Sequence, residues 1–242
     1  MTSVTTASTG AMSRNRRISL IAGLLFLATF VTSIPAALLY DPILGNADFI
    51  LGNGAESNVT VGAVLELLLI AANIGTALVL YPVLRRQSEI AALGWVSARI
   101  MESVFIALGV ISLMAMVTLR QDAPADPATL SAIGDSLIAI HDWTFRIGPG
   151  LVVGIGNGLL LGYLMFKSGL VPRGMAMLGL VGGPLLFLSG VLVVLGVIDH
   201  GSMIKAVMAI PEILWEASLT LYLIFKGFRP SPILEGDSQG QV

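Results

Sequence analysis

The chain has 242 residues, of which 55% are hydrophobic and only 12% charged, with a net charge of −2. Ordinary globular chains are about 25% charged, so the apolar surplus has no soluble explanation at this length. The chain has no cysteine, which excludes structural disulfides, thiol catalysis and cysteine-ligated metals.

Six apolar runs follow one another at 18–40, 61–84, 91–119, 147–166, 175–198 and 206–225. A helix needs about 20 mostly apolar residues to cross a hydrocarbon core of about 30 Å. Each run meets that length. None shows the short alternating segments of a membrane barrel, and each is apolar nearly all round, as a helix in lipid must be. The expected fold is all-α, a polytopic membrane bundle of six transmembrane helices over 17–228.

Residues 1–16 are rich in Thr, Ser and Ala and are expected to form a disordered cytoplasmic N-terminus. Arg14, Arg16 and Arg17 resemble the basic start of a signal peptide. The apolar run behind them exceeds the usual 7–15 residues, however, and Ser33-Ile34-Pro35-Ala36 is a poor cleavage match. The first run is therefore read as a retained helix. The connection 41–60 holds Pro42, Gly45, Gly52 and Gly54, which read as turns. Leu44, Phe49, Ile50 and Leu51 are expected at the membrane interface, and Asn58-Val59-Thr60 matches the short, unspecific glycosylation pattern. The connection 120–146 opens with acids and prolines. Leu130, Ile133, Leu137 and Ile138 then recur at helical spacing, with Asp126 or Thr129 placed to cap. This predicts an amphipathic helix lying on the outer surface and running into the fourth span. His141 and Asp142 are too few to make a metal site, and Trp143 with Arg146 reads as an interfacial anchor.

Gly150, Gly154, Gly158 and Gly162 form one stripe, and Gly179, Gly183 and Gly190 a second. Small residues let helices approach closely in lipid. Such stripes serve packing within the chain or a homodimer face; the first is preferred, because a bundle packs internally before it dimerises. Residues 229–242 contain Pro, Gly, Ser and acids and are expected to form a disordered cytoplasmic tail.

The connections alternate in charge. Arg14, Arg16, Arg17, Arg85, Arg86, Lys167, Arg173, Lys226 and Arg229 fall on one side, against Arg120, Arg146 and Lys205 on the other. Basic residues stay cytoplasmic, which places both termini inside a multi-pass protein of the plasma membrane. Confinement of the bases to helix ends gives nucleic-acid binding no support.

Charges within a bilayer cost about 2.5–3.5 kcal/mol each on insertion scales and mark function by default. Glu66, Arg99, Glu102, Glu212 and Glu216 are such residues. Arg99 and Glu102 share a face of the third helix, as do Glu212 and Glu216 of the sixth. At about 1.5 Å per residue, Glu102 and Glu216 lie near mid-membrane with Asn73 and Asn157. Glu212 lies somewhat outward, Arg99 somewhat inward, and Glu66 toward the outer side. The seven are expected to converge on a polar centre. Four carboxylates face one certain base, so not all four are expected to be ionised, and Glu212 and Glu216 share that burden. Two readings stand: a site that binds or translocates a small ligand or proton, or a network that only pins the helices of a non-catalytic subunit. No catalytic triad, metal set or phosphate loop supports a reaction, and no cofactor is expected.

Three segments carry a resemblance: Arg17-Ile-Ser-Leu-Ile-Ala-Gly-Leu-Leu-Phe26, Leu80-Tyr-Pro-Val-Leu84 before a basic loop, and Gly162-Tyr-Leu-Met-Phe-Lys-Ser-Gly-Leu-Val-Pro-Arg-Gly174. With the layout of spans, they resemble the DUF4386 family of bacterial integral membrane proteins over most of 17–228. The resemblance implies fold and location. It carries no activity and no site residues. Physically, the last segment is a tight turn, closed by Ser168 and Gly169 and restarted by Pro172, with Lys167 and Arg173 on lipid headgroups.

Overall fold

The computed structural model describes residues 12–52, 54–122 and 126–235. Helix α1 spans Arg14–Leu44, and a short 3-10 helix, Ala47–Leu51, leads to α2, Glu56–Leu84. Helix α3 spans Glu89–Asp122. The fourth crossing is composite. It comprises α4, Pro127–Ile147, two π-helical stretches, Gly148–Val152 and Gly154–Leu161, and α5, Gly162–Ser168. Helices α6, Arg173–Val194, and α7, Met203–Phe225, complete the bundle, and a one-turn α8, Pro232–Glu235, follows. Six of these segments are long and apolar enough to cross a membrane. Large apolar side chains such as Val31, Leu78 and Ile111 stay exposed on the outside of the bundle, as a lipid-facing surface requires.

Up-and-down connectivity brings both chain ends to one end of the bundle. There Arg16 Nη1 donates to the Leu223 carbonyl at 2.9 Å, and its Nη2 donates to that of Ile224. This end carries the basic connections and is called the basic end; the opposite, acidic end holds Asp41, Glu56, Asp126 and Asp199. The chain past Arg229, expected to be disordered, is ordered as far as Glu235. The Arg229 amide donates to the Leu170 carbonyl at 2.8 Å, and Ser231 Oγ donates to that of Ser168 at 2.6 Å. Ile233 and Leu234 pack on the core beneath. The helix likewise starts at Arg14, inside the segment expected to be disordered, with Ser13 accepting from the Arg16 amide. The remainder of both terminal expectations, 1–11 and 236–242, lies outside the described residues. The turn between α5 and α6 closes as the sequence implies. Gly169 takes a left-handed φ of 67° that only glycine adopts readily, and Pro172 precedes the first turn of α6.

Two expectations at the acidic end are corrected. Phe49 and Ile50 are not at the lipid interface. They are 1% exposed and pack with Tyr40, Ile43, Val59, Leu113 and Met116, because the 3-10 turn folds the loop back over the helix ends. Arg120 clamps this loop by donating to the Phe49 and Gly52 carbonyls at 3.2 and 2.7 Å, with its guanidinium 4.6 Å from the Phe49 ring centre. The amphipathic segment does form a helix capped by Asp126, which accepts from the Ala128 and Thr129 amides. It does not lie flat. It continues into the fourth crossing and runs along α3, where Ser112 Oγ donates to the Leu137 carbonyl at 2.6 Å and Gly109 faces Thr144. Its apolar face has found the 3-10 loop and α3 as a buried partner instead of lipid.

The glycine stripes face each other within the chain. A Cβ on Gly154 would lie 2.6 Å from the Gly183 carbonyl oxygen, and one on Gly162 would lie 3.1 Å from the Leu180 nitrogen. The fourth crossing and α6 therefore pack backbone against backbone. Local sequence makes the π-helical geometry possible. Pro149 lacks an amide for the usual ladder, and five glycines between 148 and 158 have no side chain to hold α-helical packing. Wide turns of this kind are rare and gather at functional sites.

Candidate functional site

Along the helices, polar residues fall between two apolar cores. On α3, Ala92 and Trp95 belong to the basic-end core, then come Arg99 and Glu102, then Leu113 and Met116 of the acidic-end core. On α1, Phe26 and Ala36 bracket Thr29 and Ser33 in the same way. The polar layer lies where neither core reaches.

Its first half closes on itself. Helical spacing puts Arg99 and Glu102 on one face of α3, opposite Asn73 of α2. Arg99 Nη1 donates to Glu102 Oε2 at 2.7 Å and its Nη2 donates to Asn73 Oδ1; Asn73 Nδ2 donates to Glu102 Oε1 at 3.2 Å. Arg99 and Glu102 are 2% and 7% exposed, so the charges neutralise each other as a buried pair, with Arg99 Nε left unpartnered among the described residues.

The second half is open. Asn157, in the longer π-helical stretch, accepts from Trp95 Nε1 at 3.0 Å on its side-chain oxygen and from Trp215 Nε1 at 2.8 Å on its main-chain oxygen. Held by two indoles, it donates from Nδ2 to Glu216 Oε1 at 2.6 Å. Glu212, one turn earlier on α7, is 2% exposed. Neither of its carboxyl oxygens has a hydrogen-bond partner among the described residues. It is seated by glycines: a Cβ on Gly158 would run into its Oε2, and one on Gly182 would lie 2.5 Å from its main-chain nitrogen.

A cavity of about 370 Å³ joins the two halves. Asn73, Arg99, Glu102, Glu212 and Glu216 all line it, facing Thr29, Phe30 and Ser33 of α1. Two of the seven expected residues stand apart. Asn157 reaches the cavity only through Glu216. Glu66 lies toward the acidic end, where it accepts from the Tyr40 hydroxyl at 3.2 Å and so takes no part in the central charge balance.

Sequence reasoning missed Lys205, which it left among the bases of the connections, and His200 close to it. Both line the cavity, and Lys205 is 8% exposed. Lys205 Nζ lies 2.6 Å from His200 Nδ1. Burial, then the nearby Lys205 and Arg146 cations, hold the His200 imidazole below its usual pKa. The neutral ring therefore accepts from the ammonium. The signal was present: Lys205 precedes Glu212 by seven residues, two turns up one face. Arg146, the other candidate base, does not reach the centre. It lies 3.4 Å from Asp142 and stacks 5.0 Å from the Trp143 ring, at a second cavity of about 310 Å³ that meets the first at Phe145 and His200.

Fold and site together define a multi-pass α-helical membrane protein with a cavity between two apolar cores, lined by apolar side chains and a few buried charged ones. The chain belongs to the DUF4386 family, a domain of unknown function whose model matches residues 21–227. No curated protein and no solved structure matches the chain significantly.

Proposed function

We propose that this protein binds a small polar ligand in the central cavity, with Glu212 as its anchoring group. It does so in the plasma membrane with both termini cytoplasmic. The observation that carries this is the Glu212 carboxyl group, buried at a cavity wall with both oxygens unpartnered. A carboxyl group left so in low dielectric loses the hydrogen bonds that water gave it; a bound ligand restores them, whereas a proton only removes the charge. The cavity volume lies within the range of about 300–1,000 Å³ usual for ligand sites. The orientation is supported by the bases gathered at the end that holds both termini.

A second reading has its own observation. The Arg99, Glu102 and Asn73 triangle is paired internally, with only Arg99 Nε unpartnered among the described residues, and such a set serves to hold α2 against α3. We assign it that structural part and reserve binding for the α7 side.

Hydration of the cavity tests the proposal. The chain lacks cysteine, so Ala209→Cys and Val153→Cys place single thiols on the cavity wall. Both are expected to react with a small, charged, water-soluble thiol reagent, whereas Leu164→Cys in the basic-end core is not. Equal inertness at all three positions would mean a dry, purely structural centre.

A further inference from the structure

Lys205 and Glu212 share one face of α7, separated by seven residues and about 10 Å at 1.5 Å per residue. Both line the central cavity and both are buried. The fourth crossing provides a glycine opposite each. A Cβ on Gly150 would lie 3.5 Å from Lys205 Nζ, and one on Gly158 would collide with Glu212 Oε2. Neither group has an ion-pair partner among the described residues, where the ion pairs join Arg99 to Glu102 and Asp142 to Arg146. Lys205 gives one N–H to neutral His200 and keeps two. Glu212 keeps both oxygens free. The two groups are too far apart to satisfy each other directly, yet each is costly to leave unpartnered when buried.

We propose that the cavity takes a small zwitterion, its cationic nitrogen on Glu212 and its anionic group on Lys205. This deepens the binding role proposed above and rests on it. Lys205 Nζ lies against Gly150 and Glu212 Oε2 against Gly158, eight residues further along the fourth crossing, so the charged atoms themselves are on the order of 10 Å apart, and charge-assisted hydrogen bonds of about 2.8 Å at each end leave about 5 Å between the two charges of the ligand. An amine and a carboxylate joined through a short methylene chain have that span; an α-amino acid is too short. The chain lies against apolar walls that include Phe30, Val153 and Ile213. A phosphoethanolamine headgroup presents the same pair of charges at a similar spacing, so the chemistry is available from solution or from lipid.

Thermal melting of the purified full chain in detergent, with defined additives, tests this. For the dissolved source the probes are 4-aminobutyrate, butylamine, butyrate and glycine. For the lipid source they are phosphatidylethanolamine and phosphatidylglycerol doped into the micelle. Either 4-aminobutyrate or phosphatidylethanolamine is expected to raise Tm by about 3 °C at saturation, with the other probes giving much smaller shifts. Glu212→Gln and Lys205→Met should each abolish the rise. Lys205→Arg, which keeps the cation and folds more safely, should retain it. Butylamine matching 4-aminobutyrate, with Lys205→Met still responsive, would overturn the zwitterion in favour of a simple cation site. No shift from any zwitterion, with Ala209→Cys still labelled from water, would also overturn it while the hydrated cavity stands. An unlabelled Ala209→Cys would remove the binding site itself.

Discussion

Replacing Arg99 with Ala isolates one charge in the polar layer. In the native protein the guanidinium bonds Glu102 at 2.7 Å and also holds Asn73, and both carboxyl oxygens of Glu102 are engaged by the pair. Removing it leaves a 7%-exposed carboxylate with only an amide donor. Breaking a buried ion pair from one side costs about 3–5 kcal/mol. The variant has an escape, because a neutral acid is far cheaper here than a bare carboxylate, and Glu102 is expected to take up a proton. The folded variant then holds a proton that its unfolded chain has released above the usual carboxylate range. Its stability therefore falls as pH rises, by up to about 1.4 kcal/mol per pH unit while one proton is at stake. Melting in detergent across pH should show a deficit that is smallest in acid and grows toward alkaline pH. Arg99→Lys keeps the charge and loses the planar fork, so it should recover only part. Adding Glu102→Gln to Arg99→Ala removes the titrating group and should flatten the profile. A deficit in Arg99→Ala that is small and independent of pH would refute the triangle as the charge-balancing element.

Three further outcomes follow from single positions. Gly158→Ala drives a methyl into the Gly183 backbone and the Glu212 carboxyl group and should lower stability by about 1–3 kcal/mol; Gly174→Ala, with nothing within 4 Å, should be neutral or slightly stabilising in the same melts. His200 is held below its usual pKa by burial and by Lys205 and Arg146. The stability tied to its neutral form is thus complete above the unfolded value of about 6.5 and is lost as pH falls below it, so His200→Gln should blunt the acid-side drop in Tm. Single cysteines at Gly174 and Ala55, both exposed at opposite ends of the bundle and probed with impermeant reagent on intact cells, should label only at Ala55; labelling at Gly174 would reverse the orientation.

How legible each feature was depends on the range over which its cause acts. The six crossings and the shared end of the termini follow from run length and charge alternation, both local. The companionship of Arg99 and Glu102 was visible for the same reason, since helix spacing alone sets it. Asn73 joins them across helices, and composition anticipated the depth of that contact but not its bonds. Glu66 shows the limit of depth as a guide. It lies in a buried stretch of α2 as expected, but Tyr40, at the end of α1, captures it, and no spacing along one helix reveals a partner on another. Lys205 was misread because its charge sits near a loop, and only its register with Glu212 marks it as inward. The π-helical stretch was unreadable as such. Glycine every four residues signals close packing, and the wider turn emerges once α6 presses against that face and Pro149 has removed an amide.

The carboxyl groups of the bundle also differ in whether they have a partner, and the proposed binding role rests on that difference. Each is buried or nearly so, and in lipid each needs a donor. Glu66 has the Tyr40 hydroxyl, Glu102 has Arg99 and Asn73, and Glu216 has an asparagine that two tryptophans hold in place. Glu212 alone among these four has none in the described residues. Its surroundings were not left loose by accident of packing, for Gly158, Gly182 and Gly183 bring two backbones close about it. A site meant only for stability would fill such a place with Leu or give the acid a partner, since either is cheaper than an unpartnered carboxyl group. Dense packing around one unpartnered group, with a cavity on its open side and a lysine two turns above it, is the preorganisation that the proposed binding role calls for.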